Sequence, residues 1–197
     1  LDRLTLTVES GPIGGIPAGG LSFGVSVHPQ AIVDQPAQFD FYDGRGLDFA
    51  ALGAAQVDAQ CNVNVSKFAA RLAGVGGFVN ITQTAKKVVF CGTFTTDGLE
   101  VAVDNGQLKI VTEGRVPKFV EQVEQVSFSA RRARQIGQEV LYVTERAVFR
   151  PLDDRLELVE IAPGIDLQQQ VLNRMPFAPV VRLVRLMPSH VFAAPEG

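Results

Sequence analysis

Apolar positions along the chain come in short bursts broken by glycine, proline and small polar residues. Residues 4–8 alternate and carry β-branched side chains, which predicts a strand, and the glycine- and proline-rich stretch 11–20 predicts a loop. Residues 36–46, with Phe39, Phe41 and Tyr42 ahead of Asp43-Gly44, read as a strand running into a turn. Residues 47–57 are small and apolar, so periodicity alone leaves strand and helix open. Strand is favoured, because 58–62 looks like a turn and Asn62-Val63-Asn64-Val65 alternates like a return partner.

Gly74, Gly76 and Gly77 precede residues 78–85, which read as a short helix whose first amides are exposed. Lys86-Lys87 then leads into a buried strand at 88–91. Asn105-Gly106 in the middle of 101–110 predicts a hairpin, because that pair supplies the two positive φ angles of a type I′ turn. Ser129 is placed to cap a helix that Gly137 ends, 140–144 and 156–161 read as strands, and Asp166 is placed to cap the last helix. Strands separated by short helices predict an α/β fold: a layered open sheet, mainly parallel, flanked by helices, with the hairpin as an antiparallel excursion. Ligands of such sheets bind at the carboxyl ends of strands, where Glu9 would stand if residues 4–8 form one.

Composition narrows the function classes. A chain of 197 residues with 46% apolar and 20% charged residues is expected to fold as a single domain over 1–197. A net charge of −3 argues against general nucleic-acid binding, which needs a basic stripe. Cys61 and Cys91 lack CxxC spacing and neighbouring histidines, so neither a metal site nor a disulfide is expected, and both read as free thiols. No apolar run approaches the roughly 18 residues of a membrane span, and no signal-peptide pattern opens the chain, so a cytoplasmic protein without membrane contact is expected. The first residue is Leu1, which suggests a start partway through a longer product.

The candidate chemistry sits at Glu9, where the apolar run stops and glycines begin. A carboxylate with a reference pKa of about 4.3 is ionised at neutral pH and can attack an activated carbonyl without a general base. On position alone, a glutamate there is usually a solvated turn residue. His28 and His190 have no spacing for a metal or proton relay, Arg131, Arg132 and Arg134 read as a solvated helix face, and Phe78 and Phe90 as core.

Several motifs, in one order, change the weight on Glu9. Glu9-Ser10-Gly11-Pro12-Ile13-Gly14-Gly15, Asn62-Val63-Asn64-Val65-Ser66-Lys67-Phe68, Gly74-Val75-Gly76-Gly77-Phe78, Ala85-Lys86-Lys87-Val88-Val89-Phe90-Cys91-Gly92, Val143-Thr144-Glu145-Arg146-Ala147-Val148-Phe149 and Ile161-Ala162-Pro163-Gly164-Ile165-Asp166 together resemble the carboxy-terminal half of the family I CoA-transferases, above all the propionate and acetate CoA-transferases. The resemblance implies that Glu9 is the nucleophile of a ping-pong transfer between a short-chain acyl-CoA and a carboxylic acid, through a glutamyl-CoA thioester. It implies no cofactor beyond the CoA substrate and no metal. Backbone groups of Gly74, Gly76, Gly77, Gly14 and Gly15 are expected to line the oxyanion and acyl-CoA, with Asn62, Lys67 and Arg71 as further candidate CoA contacts. An amino-terminal domain or subunit is the expected partner, in a homo-oligomer. Cys61 stands where the family carries glycine, so the turn there must accommodate a side chain. An acyl-CoA hydrolase on the same scaffold and a noncatalytic acyl-CoA-binding module are the rival readings; phosphosugar isomerases share only an architecture.

Overall fold

A computed structural model describes residues 4–68 and 70–193. Its principal sheet has six strands, β1 (Phe49–Gly53), β2 (Lys87–Cys91), β3 (Glu139–Val143), β4 (Ala147–Leu152), β5 (Arg155–Ile161) and β6 (Val180–Leu186), each beside the next in sequence. β1, β2 and β3 run parallel, β4 and β5 turn back antiparallel, and β6 is parallel to β5. Helices α1 (Gln35–Arg45), α2 (Phe78–Thr84), α3 (Ala130–Gln135) and α4 (Leu167–Gln170) flank it. This is the expected α/β sheet flanked by helices, with three parallel neighbour pairs and two antiparallel ones.

Local chemistry accounts for most elements. Asn105 and Gly106 take φ angles of 49° and 73°, and the strands Glu100–Asp104 and Gln107–Thr112 pair across them as the expected hairpin. Ser129 accepts from the amide of Arg132 to cap α3, and Asp166 from that of Gln169 to cap α4. The stretch 47–57 is strand, as favoured: β1, then Gln56–Asp58, whose return partner is Val63–Asn64. The core centres on Phe90, which stacks on Phe78 and Tyr142 at 5.8 and 5.4 Å and meets Phe128 edge-on at 5.0 Å. β4 and β6 had no counterpart in the sequence reading.

Two expectations are corrected. Residues 36–46 are not a strand: 36–45 lie in α1, which Pro36 helps open, and Gly46, with φ 77°, caps its end by donating to the carbonyl of Tyr42. The helix buries Gln38 and Tyr42, one turn apart, and leaves Phe41 51% exposed. Residues 4–8 are not a sheet strand either. The segment folds back on its own loop: Val8 donates to Pro12 at 3.0 Å, Gly14 to Leu6 at 2.7 Å, and Thr7 bridges Ile13. Gly11, at φ 127°, makes the reversal, and a Cβ there would overlap the carbonyl of Val33.

Candidate active site

Glu9 therefore projects from a tight turn beside the sheet rather than from the end of one of its strands. The turn is closed by Gly11 donating to the carbonyl of Val8 at 2.9 Å, and Ser10 Oγ ties it to the carbonyl of Gly24. Helix α1 backs it. Gln38 Nε2 donates to Tyr42 Oη at 2.9 Å, Tyr42 Oη to Thr7 Oγ1 at 2.7 Å, and Gln38 Nε2 more weakly to the carbonyl of Val8 at 3.4 Å.

The carboxylate reaches Gly77. A Cβ built on Gly77 would lie 2.5 Å from Glu9 Oε2 and would overlap the Phe39 ring. Gly77 is the N-cap of α2, with φ −79° and ψ 0°, a conformation open to any residue, so space rather than backbone geometry calls for glycine here. Gly76, at φ 52° with nothing within 4 Å of a built Cβ, is the reverse case: conformation decides. Among the described residues, the amides of Gly76 and Gly77 donate to no protein acceptor, and the Glu9 carboxylate has no hydrogen-bond or ion-pair partner. The Glu9 carboxylate thus lies against Gly77, with Phe39 as the apolar wall, at the start of a helix whose preceding amides are unengaged among the described residues.

The other candidates divide. Gly74 lies on the same exposed loop at φ 78°. Gly14 and Gly15 shape their own loop: the amide of Gly14 is already engaged by Leu6, and a Cβ on Gly15 would lie 2.8 Å from the carbonyl oxygen of His28 and closer to that of Val27. Asn62 braces the fold, bonding Asp58 through its amide nitrogen at 3.2 Å and accepting from Ala130 at 3.3 Å. Asn64 does the same one step on, donating to Gln56 Oε1 and to the carbonyl of Lys67. Lys67 and Arg71 are exposed on the two strands of a small hairpin, and neither side chain has a partner among the described residues. Cys61 takes φ 67° in the place the resemblance gives to glycine, is fully buried, and has its thiol pushed up to about 12 by burial and then by Asp58.

Sequence reasoning missed Gln38, Phe39 and Tyr42, because α1 was read as a strand. The signal was present: proline just inside the start and glycine just past the end mark a helix. The carboxyl ends of β1, β2 and β3 instead surround a small cavity lined by Ala54, Gly92, Thr144 and Lys118, whose Nζ donates to the carbonyl of Ala54 at 3.1 Å. Burial lowers the pKa of that lysine. Among the described residues no group of three or more His, Cys, Asp or Glu is arranged to hold a metal ion, and no helix is long and apolar enough to cross a membrane.

No protein-family model matches the chain. Individual proteins do. Over 192 residues, 97% of the chain, it is 47% identical to acetate CoA-transferase YdiF of Escherichia coli K12, and over 186 residues it is 48% identical to caffeate CoA-transferase of Acetobacterium woodii. The crystal structure of the acyl-CoA transferase YdiF of E. coli O157:H7 superposes on 98% of the chain with a TM-score of 0.89 at 46% identity. The chain belongs to the family I CoA-transferases. It spans about a third of these relatives, 36% of YdiF and 35% of the caffeate enzyme. YdiF has also been crystallised as a thioester complex with CoA.

Proposed function

We propose that this chain is the glutamate-bearing part of a short-chain acyl-CoA:carboxylate CoA-transferase, with Glu9 as its covalent nucleophile. The observation that carries the reading is the Glu9 carboxylate set against Gly77, in a loop where the amides of Gly76 and Gly77 donate to no acceptor among the described residues. A carboxylate oxygen attacks the thioester carbonyl of acyl-CoA and expels CoA thiolate, leaving an acyl-glutamyl anhydride. The thiolate then attacks the glutamyl carbonyl, releasing the free acid and leaving CoA as a thioester on Glu9. A second acid reverses both steps and departs as its CoA thioester. One thioester replaces another, so the exchange is close to neutral in free energy and asks for no ATP. The barrier is the difficulty, and donors aimed at a developing oxyanion each contribute about 3–4 kcal/mol in comparable sites. Amides of Gly76 and Gly77 fill that role; Gly74 extends the same loop, and exposed Lys67 and Arg71 are the side chains available to CoA phosphates.

The part of the relatives that this chain does not span supports a partner: a second α/β domain or subunit that completes the cleft, in a cytoplasmic homo-oligomer. The relatives are named for acetate and caffeate, acids of very different size, and the acyl pocket is assigned here to that partner.

The test incubates the assembled enzyme with acetyl-CoA and reduces it with borohydride, which converts a glutamyl thioester to an alcohol. The expected result is a modified peptide containing residue 9, absent in Glu9→Gln, and CoA transfer that depends on added acid. An active enzyme with an unmodified peptide removes Glu9 from the mechanism. CoA release without an acceptor acid redirects the reading to hydrolysis.

A further inference from the structure

Gln38 is 1% exposed, and its Oε1 is buried without a hydrogen-bond partner among the described residues. Such an orphaned acceptor is costly to the fold, and structures keep it where it serves something else. Its other end shows what that is. Nε2 donates to the Oη of Tyr42, a residue only 1% exposed, and Tyr42 Oη donates to Thr7 Oγ1. Nε2 also reaches the carbonyl of Val8, the residue before Glu9. The same helix turn carries Phe39, which packs edge-on against Tyr42 at 5.7 Å and fills the space above Gly77 that the Glu9 carboxylate shares. A second tie, Asn80 Nδ2 to Asp43 Oδ2 at 2.9 Å, fastens α2, which Gly77 caps, to α1.

Resting on the assignment of Glu9 above, we propose that Gln38 and Tyr42 are positioning residues: their relay holds Thr7 and Val8 so that the Glu9 carboxylate stays against Gly77 instead of swinging on its turn. Neither residue touches substrate. α1 registers the nucleophile loop and the glycine loop to one another, and the unsatisfied Gln38 oxygen is the cost of directing Nε2 at Tyr42 and Val8. A misplacement of about 1 Å at a reacting group can lower rates a hundredfold, and a relay of this kind acts on that scale.

The test uses the assembled enzyme and three variants. Tyr42→Phe removes one oxygen and should lower kcat about tenfold to a hundredfold while KM for acyl-CoA stays within about twofold; formation of the Glu9 adduct in a single turnover should slow in proportion. Thr7→Val, which cuts the relay at its outer end without leaving a buried amide unsatisfied, should do the same and serves if Tyr42→Phe folds poorly. Tyr42→Phe combined with Gln38→Met removes both partners, so its Tm should return to the parent value or above. Its kcat should not return. Recovery of kcat together with Tm would assign the relay a purely structural role and overturn the proposal, as would wild-type adduct rates in Tyr42→Phe and Thr7→Val. Absence of any Glu9 adduct in an active parent enzyme is a different failure: it removes the nucleophile assignment and the relay's purpose with it.

Discussion

Glutamate appears in two opposite settings in this molecule. Arg146, with a fully buried side chain, gives Nη1 and Nη2 to the two oxygens of Glu113 at 2.8 Å each and Nε to Glu145 at 2.6 Å, and lies 4.8 Å over the Phe94 ring. Glu145 also accepts from the amide of Phe94, and Glu113 from Thr95. Each carboxylate oxygen of Glu113 and Glu145 accepts at least one hydrogen bond. Glu9 has none of this among the described residues: its carboxylate lies against Gly77, with the Phe39 ring filling the same space. A carboxylate held by guanidinium forks is a poor nucleophile and a good rivet. One left unpaired at a glycine turn adds little to folding and has its electron pairs free for the role proposed for Glu9.

The sharpest way to break this contrast is to remove one charge from each setting. Glu9→Gln should cut CoA transfer by at least about a thousandfold, as loss of a covalent nucleophile does. Its stability should stay within about 0.5 kcal/mol of the parent, since no partner is left unsatisfied. Arg146→Met should reverse the pattern. It strands Glu113 and Glu145 without their counter-charge and should cost about 3–5 kcal/mol in denaturant unfolding, with a Glu9 adduct still forming in the molecules that remain folded. If Glu9→Gln melts early, or Arg146→Met unfolds as the parent does, the division between chemistry and support is wrong.

A smaller effect separates the two glycines beside Glu9. Gly77→Ala puts a methyl group 2.5 Å from Glu9 Oε2 and into the Phe39 ring, so the carboxylate or the ring must move. The expected loss is about tenfold to a hundredfold in kcat, with overpacking of about 1–3 kcal/mol. Gly76→Ala meets no atom within 4 Å but must hold φ 52°, and should cost about 1–2 kcal/mol of conformational energy with the carboxylate undisturbed. Paired melting curves and steady-state kinetics read both. Equal kinetic losses would mean that space around Glu9 is not what matters.

These regions also differ in how far the sequence discloses them. The hairpin at Asn105-Gly106 and the caps at Ser129 and Asp166 are local chemistry and were legible, as was the helix that follows Gly77. So was the meeting of Glu9 with Gly77, though only through the resemblance, because 68 positions separate them. What supports Glu9 was not. Phe39, Phe41 and Tyr42 look like a strand when read as an aromatic burst, and only the Pro36 and Gly46 punctuation contradicts that; with α1 misread, Gln38 and Tyr42 had no reason to draw notice. The Arg146 cluster was harder still. Glu145 and Arg146 are neighbours, but Glu113 arrives from the far end of a hairpin 33 positions away, and no periodicity announces a charge that will be buried. Cys61 is the reverse case: its oddness was visible, and its φ of 67° shows a cysteine taking the conformation of a glycine.

The smallest predicted effect tests the Arg146 cluster by proton linkage. Burial alone would raise the Glu113 pKa, but hydrogen bonds from Arg146 and Thr95, with the guanidinium charge, outweigh it and hold the carboxyl below its ordinary value of 4.5. A depressed folded pKa means that the unfolded chain binds the extra proton first as pH falls. The Glu113 contribution is therefore fully present above about pH 5, diminishes as pH drops through the unfolded value, and is gone once pH passes the folded one. Arg146 stays charged throughout and adds no slope. Calorimetric Tm should accordingly be flat from about pH 8 to pH 5.5 as far as this pair is concerned and fall below that, and Glu113→Gln, starting from a lower Tm, should show a shallower acid limb. An acid limb as steep in Glu113→Gln as in the parent would mean that the Arg146 fork holds Glu113 no better than water does, and the contrast with Glu9 would lose its supporting half.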